Sequence, residues 1–162
     1  MIKNLLFALL IIVSTASMPL YLHDDNPKSY RCLIQLTNYG GEGAYVITSL
    51  IDPEGQYEET LYVGGDDSKW YPDLPTWYDF HEVSNQEIDG ITGASIQSGG
   101  RKIASIQVDG DKLNQGYKLR FESSVEDGNY FDKDIEVYLQ DKMVGKTIEG
   151  SGYIRYVRLI TR

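Results

Sequence analysis

An all-β fold, an antiparallel sandwich of about seven strands with one short helical insertion, is what this sequence predicts, and three observations predict it. Apolar and polar residues alternate in short runs, turn chemistry separates the runs, and no helical pattern serves as a crossover between parallel strands. The composition suits a globular domain: 162 residues, 41% hydrophobic and 24% charged, with a mean hydropathy of -0.34.

Ahead of the strands, Lys3 precedes an unbroken apolar run from Leu5 to Val13 and the small residues Ser14, Thr15, Ala16 and Ser17. That is the pattern of a secretory signal peptide over 1–16, cleaved after Ala16. The run is shorter than the ~20 residues a bilayer requires, and an uncleaved reading extended to Leu22 would make a marginal anchor. No cysteine follows the run to carry a lipid. Residues 17–29 then read as an N-terminal extension and 30–162 as one sandwich domain, exported to the periplasm or otherwise outside the cytoplasm.

Arg31 to Thr37 alternates, with Cys32, Ile34 and Leu36 on one side, and is the first strand. Cys32 belongs to the core, because nothing around it beyond Arg31 would activate a thiol. Ala44 to Ile51 and Gln56 to Val63 form a hairpin around Asp52-Pro53-Glu54-Gly55, where Pro presets φ and Gly takes φ > 0. Trp70 to Ser84 breaks the pattern. Pro75 opens a short helix that carries Trp77, Phe80 and Ser84 on one side. Its aromatic residues, Trp70, Tyr71, Trp77, Tyr78 and Phe80, suit either a lid over one open end of the core or a stacking surface for a planar ligand. Arg101 to Val108, Tyr117 to Val125, Asp134 to Gln140 and Gly152 to Ile160 complete the strands. In the second of these, Leu119, Phe121 and Ser123 oppose Lys118, Arg120, Glu122 and Ser124, so only one face is expected to be dry.

Charge and rare residues exclude several functions. Without the first 16 residues, whose only charge is Lys3, 14 Lys+Arg stand against 24 Asp+Glu, or 14 − 24 = −10. The basic residues are scattered singly, so no stripe exists to displace counterions from a nucleic acid. One cysteine excludes a disulfide framework and a thiolate zinc cluster, and two histidines leave little for a His-based metal site. His81, beside Asp79 and Glu82, reads as a surface histidine. Asp109-Gly110-Asp111 lacks the later ligands of a calcium loop and reads as a tight turn. No catalytic residue set is present, and the chain reads more readily as a non-enzymatic carrier.

One motif remains. Asp89-Gly90-Ile91-Thr92-Gly93-Ala94-Ser95 resembles the flavin-attachment motif read by the ApbE type of FAD:protein FMN transferase: Asp, two variable positions, Ser or Thr, Gly, Ala, and an acceptor Thr or Ser. In that chemistry the acceptor hydroxyl attacks the phosphorus of FAD, AMP leaves, and FMN stays bound as a phosphoester. The residue types suit it. Gly93 and Ala94 let a foreign active site approach, and Ser95 supplies the hydroxyl. Asp89 either accepts loop N–H groups or is read by the transferase. Thr92 braces the loop and is the alternative acceptor.

From about Ala44 to Leu139 the order of features resembles the bacterial predicted-periplasmic-protein family known as domain of unknown function 2271: the hairpin, Trp70-Tyr71-Pro72-Asp73-Leu74 with Trp77 behind it, the Asp89 to Ser95 motif, then two strands. Asp109-Gly110-Asp111 with Gly116-Tyr117-Lys118-Leu119 is similar to the immunoglobulin-like unit of flagellar hook-capping proteins. The resemblance implies an immunoglobulin-like sandwich that carries covalent FMN outside the cytoplasm, with an ApbE-type transferase and a PepSY-type membrane redox protein as partners. Ser95 in place of the commoner threonine, and Ile96-Gln97-Ser98 in place of an Arg/Pro-rich stretch, depart from that pattern. At least one of Trp70, Trp77 and Tyr78 is expected within reach of the flavin. A cofactor-free secreted binding or adhesive sandwich is the competing expectation.

Overall fold

Period-two burial runs along β1 (Lys28–Leu36), where Tyr30, Cys32, Ile34 and Leu36 are buried and Arg31 is exposed. The computed structural model describes residues 26–161. The signal-peptide pattern, its cleavage site and most of the N-terminal extension lie outside the described residues.

The described residues form two facing sheets. The four-stranded sheet has the order β5 (Arg101–Val108), β1, β9 (Ile154–Thr161), β8 (Thr147–Glu149). The five-stranded sheet has the order β4 (Thr92–Gly93), β3 (Tyr57–Gly64), β2 (Tyr45–Ile51), β6 (Lys118–Ser124), β7 (Tyr130–Tyr138). All pairings are antiparallel except that of β3 with β4. The seven expected strands are all present. Two short ones, β4 and β8, escape the sequence because two or three residues cannot display a period. Ile34, Leu36, Val46, Leu50, Leu119, Phe121, Val157 and Leu159 fill the space between the sheets with other buried residues. Cys32 lies in the same core, and burial pushes its thiol up to about 12.

The insertion between β3 and β5 lies on the outside of the five-stranded sheet. A 3-10 segment, Ser68–Asp73, leads into α1 (Pro75–Ser84), whose Pro75 has no N–H to lose at the first turn. Leu74 and Trp77, both fully buried, pack with Tyr71 against Ile47 of β2 and Val63 of β3, forming a second apolar cluster. The helix is therefore a layer over the outer sheet face rather than a lid over an open end.

That layer corrects a second expectation. Both faces of β6 are dry: Arg120, Glu122 and Ser124 on its outer side are 6%, 0% and 4% exposed. Amphipathic alternation identifies the outer side, but not what covers it. The charges there are partnered. Glu122 Oε1 accepts a 2.7 Å hydrogen bond from the Tyr57 hydroxyl, and Oε2 accepts one from Tyr130. Arg120 lies 4.9 Å from the centre of the Tyr57 ring and donates to Glu136 at 2.7 and 2.8 Å. Burial raises the Glu122 carboxyl from 4.5 to about 7, against the lowering effect of the phenols and of Arg120.

A second buried carboxylate fixes the far end of the sandwich. Asp134 Oδ1 accepts the backbone N–H groups of Ser151 and Gly152, and Oδ2 accepts that of Ile154 and the Ser123 hydroxyl. The strand expected from Asp134 begins earlier, β7 starting at Tyr130.

Candidate functional site

The segment that carries Asp89 to Ser95 passes along the edge of the five-stranded sheet before the chain enters β5. Asp89–Ile91 form one 3-10 turn, closed by the Ile91 N–H on the Ile88 carbonyl at 2.9 Å. Thr92 and Gly93 then pair with Val63 and Gly64, and Gly65 N–H donates to the Gly93 carbonyl at 2.6 Å. Two residues beyond Ala94, Ile96 exchanges hydrogen bonds of 2.8 and 2.9 Å with Ala44. Ala94 and Ser95 thus sit between two fixed points, Ala94 exposed and Ser95 half-buried.

The two hydroxyls of the motif differ. Thr92 Oγ1 donates to the Ile88 carbonyl at 2.8 Å and braces the turn. Among the described residues, no hydrogen bond engages the Ser95 hydroxyl. Room for it comes from Gly43, where a Cβ would stand 2.6 Å from Ser95 Oγ. Asp89 is exposed, and its carboxylate accepts no N–H from the described loop, so the bracing role falls to Thr92. Lys102 of β5 brings its ammonium to 3.5 Å from where a Cβ of Gly93 would be, and it forms no ion pair with a described residue.

The expected aromatic neighbours are not gathered at the motif. Trp77 is fully buried, and its Nε1 donates to Thr60 Oγ1 at 3.0 Å, so a ligand cannot reach its faces. Trp70 lies under the Lys69 ammonium, 4.9 Å from its ring centre, beside a crevice of only about 10 Å³. Tyr78 is half-buried. His81, read from sequence as a surface residue, instead stacks on Trp77 with centroids 5.0 Å apart and planes at 8°. Its Nδ1 is enclosed and has no hydrogen-bond partner among the described residues. The spacing of four residues from Trp77 to His81, one helical turn, was the available signal.

His81 and Tyr71 line a cavity of about 630 Å³ that reaches Asp89 and Thr92. Asp66, Glu82 and Glu87 also border it. Burial, with the nearby Asp66, Asp89 and Asp67 charges, raises the Tyr71 hydroxyl, which donates to the Gly65 carbonyl at 3.1 Å. Across the motif, a groove of about 490 Å³ runs between β3 and β5, bordered by Gly90, Ile91 and Gln86. The Gln86 amide both accepts from Thr60 N–H at 2.8 Å and donates to the Thr60 carbonyl at 2.7 Å, pairing with β3 as a strand would. Among the described residues, no grouping of His, Cys, Asp and Glu could hold a metal ion.

A family model described as "Predicted periplasmic protein (DUF2271)" matches residues 28–156, well over half of the chain. No curated protein and no solved structure matches it.

Proposed function

The chain belongs to the DUF2271 family of predicted periplasmic proteins and so is placed outside the cytoplasm, and from that premise we propose a flavin carrier with FMN joined to Ser95 as a phosphoester. The observation that carries this reading is the complete Asp89 to Ser95 motif at the sheet edge, with a Ser95 hydroxyl that no hydrogen bond engages among the described residues, beside the exposed Ala94. The surroundings fit such a group. Ala94 and Gly93 leave access to the acceptor, Gly43 leaves it space, and the Lys102 ammonium is near enough to the motif to offset the charge of a phosphoester.

When bound, the flavin supplies one- and two-electron redox chemistry. The protein contributes tether and walls. Ser95 holds the group, Thr92 keeps the turn rigid, and the cavity of about 630 Å³ opens beside the motif at Asp89 and Thr92. An ApbE-type transferase is the partner that loads the chain, and a PepSY-type membrane redox protein is the partner for electrons.

The test is co-expression of the exported chain with an ApbE-type transferase, Mg²⁺ and FAD. The expected result is one FMN that survives denaturation, retained in Ser95→Thr and lost in Ser95→Ala. FMN found on Thr92 would move the acceptor. No addition by an active transferase would overturn the reading and leave the cofactor-free binding sandwich in its place.

A further inference from the structure

Among the described residues, no layer covers the outer face of the four-stranded sheet, and this face carries a charge opposite to that of the molecule. Registers align Ile103, Leu33 and Arg158 in one row across β5, β1 and β9, and Ser105, Arg31 and Ile160 in the next. Arg101 lies in the row on the other side of the first, opposite Gln35. Three arginines therefore fall within about 14 Å on this face, given ~4.8 Å between strands and ~3.4 Å per residue along them. All three are exposed, and none pairs with a carboxylate among the described residues: Arg101 donates to Gln35 and Arg158 to Thr147. Between them Ile103 and Ile160 are 47% and 45% exposed. Glu149, at the β8 edge, is the one acidic residue that the registers place on the face.

The opposite side of the molecule is acidic. Residues 66–89 of the outer layer over the other sheet hold seven Asp and Glu against Lys69. The thickness of two sheets and that layer exceeds the Debye length of about 8 Å at physiological salt, so a surface meeting the arginine face is screened from those acids. A net charge of -9 does not prevent this face from binding an anion-bearing surface.

We propose that this face docks on an anionic phospholipid bilayer. The guanidinium fork matches phosphodiester oxygens, and exposed isoleucines beside it fit the headgroup and acyl boundary. A location between two membranes keeps such a surface within reach. The inference is independent of the flavin reading.

Flotation of the exported chain with equimolar phosphatidylglycerol and phosphatidylcholine vesicles tests it. Binding is expected to those vesicles at low salt, to weaken at high salt, and to be absent with phosphatidylcholine alone. R31E/R158E should weaken binding on the order of tenfold or more, and Ile103→Ser with Ile160→Ser should weaken it further, all with an unchanged circular dichroism spectrum. No binding, equal binding to neutral vesicles, or binding indifferent to R31E/R158E would overturn the proposal. Retention on immobilised polyglutamate without any on vesicles would assign the face to an acidic protein instead.

Discussion

Tyr57 of β3 reaches across β2 to donate a 2.7 Å hydrogen bond to Glu122 of β6, so a carboxylate with no exposed surface is held by phenols while its neighbour Arg120 turns to Glu136. Phenol hydrogen bonds stabilise the anion, but the loss of water outweighs them, and the carboxyl is raised to about 7.

The pH dependence follows from that shift. A carboxyl raised above its unfolded value holds its proton longer in the folded state, so its contribution to stability is complete below the unfolded value of 4.5 and is lost as pH rises through about 7. Glu122→Gln should keep a hydrogen-bonding side chain there and flatten the fall of the thermal midpoint between about pH 5 and 7. An unchanged slope in that window would show that another group titrates.

Trp77 is the largest fully buried side chain, and it also satisfies the Thr60 hydroxyl. Trp77→Ala should cost about 3–5 kcal/mol in urea unfolding. Trp77→Phe should cost less, chiefly the bond to Thr60. A cost under about 1 kcal/mol for the alanine variant would mean that α1 does not need its anchor.

Asp134, itself 3% exposed, gathers three backbone N–H groups and a hydroxyl. Asp134→Ala should destabilise the domain by about 3 kcal/mol or more, since each orphaned group carries its own desolvation cost. Amide exchange should show the 149–154 segment loosening before the rest.

Gly43 tests the attachment reading without touching the acceptor. Gly43→Ala places a Cβ where Ser95 Oγ stands at 2.6 Å and Gln97 Nε2 at 2.7 Å, so both side chains must shift. Mass spectrometry of flavin addition should show a several-fold slower rate than wild type while the unfolding midpoint stays close to it. An equal rate would mean that the Ser95 hydroxyl is presented independently of its floor.

The strands and α1 were legible because alternation and Pro75 are local signals: Arg101–Val108 and Pro75–Ser84 have the bounds that the sequence suggests. What stacks on what was not. Lys118, Arg120, Glu122 and Ser124 alternate as a solvent face does, but Tyr57 of β3 and Tyr130 of β7 reach over Glu122, and Phe80 of the insertion stacks on Tyr57. Trp77 fails as a ligand platform for the same reason, since aromatic density does not distinguish a core from a binding wall. The motif itself is readable, whereas Gly43, which gives Ser95 its space, lies 52 residues upstream and carries no mark.

The Gln86 amide that pairs with Thr60 has a consequence for life at high concentration. A sheet edge with free N–H and carbonyl groups is a template on which another chain can add a strand. Along β3, Thr92 and Gly93 occupy the edge at Val63 and Gly64, and Gln86 occupies it at Thr60. A side chain and a two-residue strand together occupy that edge from Thr60 to Gly64 against self-propagating polymerisation, and Gln86→Ala would reopen it at Thr60.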